Sequence, residues 1–372
     1  MLYYNAKVFT PEGWIRGGFR VENGRFAEIL PGLGKGDEDL ENAKVIPGLV
    51  DIHTHGNSGA DFSDGSLEGL KTMAAYCARN GITSFAPTSM TLPFETLAAA
   101  FHTARELHDH RPSGCARVMG IHMEGPFFSE KKKGAQNAAY LRDPDMDMFK
   151  ALQQGCGGLV RIVDTAPELN GAAAFAAEAS RNCTVSAAHT DADYEQAAAF
   201  FDAGANHVTH LFNAMPPIHH RRPGVIGAAC EREDVVAELI CDGLHVHPSV
   251  IRMAFRLFPG RICLISDSLR CCGMPDGEYE LGGQQVFLRG GVARLGDGTI
   301  AGAASNLFQD LRNAIRFGIP EEEAIRAATV LPAREIGAES EIGSIEPGKF
   351  ADFMVCGEDL SLRQVCIGGE KI

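Results

Sequence analysis

The stretch KVIPGLVDIHTHG, Lys44–Gly56, decides how this chain folds. A glycine- and charge-rich patch, PGLGKGDEDLENA, ends as it begins, and the apolar run VIPGLVDIH then closes on two histidines separated by one threonine. Residues two apart on an extended chain point to the same face, so His53 and His55 can present both imidazoles to one ion at the end of a strand. Parallel barrels build their sites at the C-terminal ends of their strands. The rest of the chain has to supply the other strands.

Seven more apolar β-type runs follow: ITSFAPTS, ARVMGIHMEG, GLVRIVDTAPE, TVSAAHT, NHVTHLF, VVAELICDG and RICLISDS. Between most of them lie Ala-, Leu- and Glu-rich segments with helical spacing, such as SLEGLKTMAAYCARNG and DYEQAAAFFDAG. Eight strands with helical crossovers predict an α/β fold, a (β/α)8 TIM barrel. The long third-to-fourth connection and the weak helix between the sixth and seventh strands leave a doubly wound open sheet as the alternative. The first 45 residues and the last 30 read instead as short strands broken by Gly and Pro. The expected organisation is a small β-sandwich domain from residues 1–46 and 341–372, around a barrel at 47–340. A β-hairpin insertion is expected near 276–300.

Composition narrows the function. A formal net charge of -14 over 372 residues argues against nucleic acid, whose phosphates would be repelled at long range. An anionic substrate would therefore need a local basic patch. No basic n-region with a following apolar run opens the chain, and no apolar run approaches the ~20 residues that span a bilayer, so neither secretion nor a membrane partner is expected. The 11 cysteines include no CxxC pair, which fits free thiols in a reducing cytoplasm.

Polar residues gather at the strand ends. The first strand carries His53 and His55, the third Glu124 in HMEGP, and the fifth His189 in AAHT. The sixth ends with His210 in THLF and the eighth with Asp267 in SDS. Any one of these could be a satisfied core residue or a helix cap. All of them together, at five strand ends, point to a divalent metal centre. Imidazole and carboxylate ligands without thiolate suit Zn, Fe, Mn or Ni. Such an ion lowers the pKa of a bound water to ~7 and polarises a carbonyl. Asp267 is the candidate to take a proton from that water and pass it to a leaving amine, which points to amide hydrolysis. Asp51 is expected to be structural and His122 to support the ligands. His102, His108 and His110 are expected on a solvated surface.

Together, PGLVDIHTHG, GIHMEGPFF, AAHT, VTHLFNAMPP, CDGLHVHP and TIAGAASNL resemble the N-acetylglucosamine-6-phosphate deacetylases of the amidohydrolase superfamily, over nearly the whole chain. The resemblance implies hydrolysis of the acetamide of N-acetyl-D-glucosamine 6-phosphate, with the galacto epimer or a cyclic amide or dipeptide as alternative substrates. It makes Glu124, His189 and His210 the principal metal ligands. His53 and His55 match a pair kept by some members for a second ion bridged through Glu124, so one or two ions are implied. Asp267 matches the catalytic acid and base that also touches metal. Asn213, Ala214 and Arg221 match groups holding the sugar phosphate. His245 matches a further substrate contact, and Ile300, Ala301 and Gly302 border the sugar. Ala135 and Gln136 fall in the substrate-contacting segment, with Gln136 where some members carry histidine. A homodimer with its phosphate pocket reaching across the interface is implied as well. His219, His220 and Arg222 match no role, and the run Lys131–Lys133 reads as a solvated loop.

Overall fold

The computed structural model describes all 372 residues. Its centre is a parallel sheet of β1 (Leu49–Thr54), β2 (Ile82–Ser89), β3 (Ile121–Met123), β4 (Val160–Thr165), β5 (Thr184–Ala187), β6 (His207–Val208), β7 (Val236–Ile240) and β8 (Ile262–Ile265). These strands neighbour one another in chain order. The sheet closes where Asp267 N–H donates to the His53 carbonyl and His55 N–H to the Ser268 carbonyl, each at 2.9 Å. The architecture is a (β/α)8 barrel, and the open-sheet alternative falls. Every residue of β1, β2 and β8 is buried, as strands covered on both faces must be.

The outward side chains Phe85, Met123, Val163, Leu239 and Leu264 pack with the surrounding helices in one large core. Helix Leu67–Arg79 shows how a crossover docks. Ser66 caps it, accepting from Gly69 N–H, and Leu70, Met73, Ala74 and Cys77 form its buried stripe. The expected weak helix after β6 is a single short one, Gly224–Cys230. The long connection after β3 carries two 3-10 turns and the helix Met146–Gly155.

Inside the barrel, Ile162, Ile240, Cys263 and Ile265 pack with Ala333, Ile336 and Ile342 from the segment around helix Val330–Glu335. That segment plugs the N-terminal end of the barrel. The interior also holds a polar group that sequence patterning did not single out: Asp164, Ser186, His207, Thr209 and Glu238, all buried, beside His122. Branched apolar residues are the usual filling of such barrels.

Both termini share one seven-stranded mixed sheet, in the spatial order Glu370–Lys371, Leu362–Ile367, Phe353–Cys356, Glu38–Pro47, Leu2–Thr10, Gly13–Glu22 and Arg25–Pro31. The sheet curls into two facing layers: Phe26 and Phe353, on strands that are not neighbours, lie 6.1 Å apart by ring centroid. Tyr3 and Phe19 complete that core. After β8, the segments Gly277–Leu281, Gln284–Arg289, Val292–Leu295 and Ile300–Gly302 form a four-stranded antiparallel sheet. Its Leu281, Val286 and Leu288 pack on Met90, Ala135 and Leu269. The expected hairpin is thus a small sheet clasping the loops above the barrel mouth.

Candidate active site

At the C-terminal rim the six predicted ligands converge. Glu124 is the hub. Its Oε1 lies 3.1 Å from His189 Nε2, 3.2 Å from His210 Nε2 and 3.6 Å from His53 Nε2, and its Oε2 lies 3.4 Å from His55 Nε2. Asp267 Oδ1 faces the first pair, 3.3 Å from His55 Nε2 and 3.6 Å from His53 Nε2. The backbone bends sharply to aim these groups. His189, His210 and Asp267 have φ of 44°, 30° and 50°, the left-handed region that costs a non-glycine residue about 1–3 kcal/mol. Phe212 and Ala214, at 78° and 50°, continue the same turning loop after β6. Strain spent at three candidate ligand positions in one cluster marks the rim as a site that packing alone would not build.

The donor set fits a metal. His53 Nδ1 donates to Glu238 at 2.9 Å, His55 Nδ1 to the Thr88 carbonyl at 3.2 Å, and His189 Nδ1 to the Lys132 carbonyl at 2.9 Å. A neutral imidazole carries one proton, so each of these rings turns a lone pair at Nε2 toward the two carboxylates. Lone pairs and anions facing one another require a cation between them. His53 Nε2 is buried with no hydrogen-bond partner, and His210 Nε2 stands only 3.1 Å from His189 Nε2. Two ligand groups result, His53–His55–Glu124 and Glu124–His189–His210, sharing one carboxylate.

Protons compete with metal for these nitrogens. Burial opposes charging His55 and His210, yet hydrogen bonds accepted by Asp267 and Glu124 respectively, with the surrounding carboxylates, raise both to about 9. Burial likewise opposes ionising Glu124 and Asp267, but their histidine partners hold Glu124 well below and Asp267 below the ordinary carboxylate range. For the metal-stripped protein, a raised histidine pKa stabilises the fold fully below ~6.5 and is lost as pH climbs through 9. Metal uptake must displace those protons and strengthens over the same interval. Melting with and without chelator from pH 6.5 to 9.5 should therefore show a metal-dependent Tm gap that widens with pH. A gap that narrows would contradict the assignment.

A cavity of about 310 Å³ opens beside the ligands, lined by His55, Glu124, His189, His210 and Asp267. Ala135, Gln136, Asn213, Ala214, His245, Ile300, Ala301 and Gly302 line it too. Asp242 fixes His245, accepting from Nδ1 at 2.6 Å. Gln136 donates from Nε2 to Glu124 Oε2 at 2.6 Å while its Oε1 accepts from Thr91 N–H at 2.8 Å, so in this chain it braces the hub. Arg221 stands elsewhere. It is exposed on the tight turn His219–Arg222 and lines a neighbouring cavity with Lys132, Asp191, Tyr194, His219 and Arg222. Asp51 stays out of the cluster, accepting from Ser266 Oγ at 2.6 Å. His122 is fully buried behind His53, with 4.6 Å between ring centroids. His102 and His108 on the helix Phe94–Asp109, and His110 just after it, are all exposed, with His108 Nδ1 donating to the Val118 carbonyl at 2.7 Å. Glu238, which accepts from His53 Nδ1 and His210 N–H, and His207, which lies 3.3 Å from Glu238, escaped the sequence reading. Their signal was a charged residue inside the apolar run VVAELICDG and a histidine three positions before His210.

Comparison with known proteins agrees with this geometry. The model of the amidohydrolase family matches residues 44–372. An N-acetylglucosamine-6-phosphate deacetylase of Vibrio furnissii is 35% identical over 357 residues, 94% of this chain and 89% of its own. An N-acetylgalactosamine-6-phosphate deacetylase of Escherichia coli O157:H7 is 34% identical over 98% of this chain and 97% of its own. The structure of a mutant N-acetyl-D-glucosamine-6-phosphate deacetylase of Mycobacterium smegmatis, in complex with N-acetyl-D-glucosamine-6-phosphate, superposes with a TM-score of 0.94 at 34% identity, covering 100% of this chain and 98% of that one. With a histidine- and carboxylate-lined barrel rim and matches along nearly its whole length, the chain belongs to the amidohydrolase family.

Proposed function

We propose that this protein hydrolyses the acetamide of N-acetyl-D-glucosamine 6-phosphate to D-glucosamine 6-phosphate and acetate. The observation that carries the reading is the carboxylate Asp267 lining one cavity together with a histidine cluster that shares the Glu124 carboxylate. His53, His55, Glu124, His189, His210 and Asp267 would hold one or two divalent ions such as Zn, Fe or Mn. An ion there supplies a Lewis acid for the carbonyl and lowers the pKa of an attacking water.

Asp267, ionised at neutral pH, accepts the proton of that water and returns it to the amine nitrogen as the C–N bond breaks. His245 and Gln136, with the Ile300–Gly302 edge, would shape the sugar and acetyl pocket. Asn213, Ala214 and Arg221 would hold the phosphate. The exposed turn bearing Arg221, with Ile218 at 48% exposure beside it, suits a homodimer in which that cavity is completed at the interface. No helix is long and apolar enough to cross a membrane, and all 11 cysteines are free. We place the protein in the cytoplasm on the thiols.

Acetate release with added Zn²⁺, Fe²⁺ or Mn²⁺ tests the reading, comparing N-acetylglucosamine with its 6-phosphate. Release from the phosphorylated sugar alone is expected, and release from neither would overturn it. The galacto epimer needs a parallel assay, since a galactosamine-type relative matches this chain about as well as the glucosamine type. Arg221→Ala should raise KM about tenfold or more with kcat little changed, the worth of one charge-assisted hydrogen bond. An unchanged KM would remove Arg221 from the phosphate site.

A further inference from the structure

Beneath the rim, a chain of buried polar side chains runs down the barrel. Glu238, on β7 and fully buried, accepts from His53 Nδ1 at 2.9 Å and from the backbone N–H of His210 at 3.2 Å through its Oε2. Its Oε1 lies 3.3 Å from His207 Nε2. His207 Nδ1 in turn faces Glu335 Oε2 at 2.8 Å, at the plugged N-terminal end. We propose that the chain Glu335–His207–Glu238 positions the metal site. Glu238 fixes the proton of His53 on Nδ1, so that Nε2 keeps its lone pair for an ion shared with His55 and Glu124.

A neutral imidazole that lost this acceptor could carry its proton on either nitrogen, and the wrong tautomer cannot ligate through Nε2. Carboxylate partners behind ligand histidines do this in metal sites, and their loss typically weakens metal binding 10–100-fold. The same carboxylate also pins the strained backbone at His210. Glu238 thereby touches one ligand of each group around Glu124. Filling space alone would not call for a carboxylate here, since a buried charge is costly to desolvate without partners.

The neighbouring set His53, His122 and Glu238 brings three donor atoms close enough to suggest a second ion, but His122 cannot serve. Its Nδ1 faces the Ile52 carbonyl at 2.9 Å and its Nε2 the Asp164 carboxylate at 2.9 Å. Both nitrogens meet acceptors, so neither offers a lone pair.

This inference rests on the metal reading above, and Co²⁺ titration in chelator buffers tests the two separately. Full-length wild type, E238L and E335L are stripped of metal, titrated, and followed by visible absorption. Leucine removes the acceptor, whereas glutamine would keep one. For E238L, Co²⁺ affinity at the His53–His55–Glu124 position is expected to fall 10–100-fold and the visible band of that ion to change. E335L, at the far end of the chain, should lower affinity about threefold in the same direction. A folded E238L with wild-type affinity and spectrum would overturn the positioning role. Should E238L not fold, E335L decides: wild-type affinity and spectrum there would overturn the proposal as well. Wild type that takes up no Co²⁺ would overturn the metal reading and this inference with it.

Discussion

Asp267→Asn is expected to lower kcat by about 10³-fold while leaving substrate binding measurable. The amide keeps the size and the left-handed backbone geometry of the native residue, φ 50°, so the fold has no reason to move. What it loses is the ability to accept a proton. Asp267 sits with Oδ1 3.3 Å from His55 Nε2, and the neighbouring histidines hold it below the ordinary carboxylate range despite burial. General base and acid steps are worth roughly 10²–10⁴ in rate, and in the proposed reaction this residue would perform both halves of one proton transfer. On the proposed reading it would also contribute a ligand atom, so metal content of the variant has to be measured beside its kinetics. A variant that retains metal and binds substrate calorimetrically, yet turns over at the native rate, would remove Asp267 from its role. Loss of activity that tracks loss of metal would leave it a ligand only.

The parts of the site that were legible in the sequence share one physical cause. A parallel barrel sends its chemistry to strand C-termini, so polar residues ending apolar runs mark the rim, and His53, Glu124, His189, His210 and Asp267 all do so. Barrel closure was less legible, because it depends on backbone bonds between His53 and Asp267 that no composition pattern encodes. The left-handed backbone at His189, His210 and Asp267 left no trace either. Glycine advertises such a turn and these residues do not. Glu238 was readable in principle: a carboxylate in the middle of a wholly apolar strand costs too much to desolvate without partners. Its partners come from β1 and β6, however, and only the closed barrel brings them together. Arg221 shows the opposite case. Its residue type and motif were plain, but the turn His219–Arg222 sets it beside a second cavity. In the homodimer proposed above, the surface that completes a phosphate pocket would come from assembly, a level that one chain's sequence does not carry.

The hub itself gives the sharpest test of whether the centre is one unit or two. Glu124→Gln should abolish activity below about 10⁻³ of native and empty both ligand groups together. The carboxylate faces His53, His189 and His210 with one oxygen and His55 with the other, so it is common to every ligand pair on the rim. An amide cannot bridge as an anion does. Worse, its NH2 would donate into the lone pairs at Nε2 of His189 and His210 and occupy the positions an ion needs. Gln136 adds to the conflict. Its Nε2 donates to Glu124 Oε2 at 2.6 Å, and an NH2 turned that way would meet a donor. Turned the other way, with its oxygen toward Gln136, the amide sets its NH2 among the Nε2 atoms, so the orientation its neighbours favour is the one that excludes an ion. Metal per subunit, measured after dialysis against micromolar free Zn²⁺, should drop to near zero. His53→Ala, which touches one group only, should spare the ion at Glu124, His189 and His210. A Glu124→Gln protein that keeps one ion at native affinity would show that the two groups bind independently and that Glu124 is not their bridge.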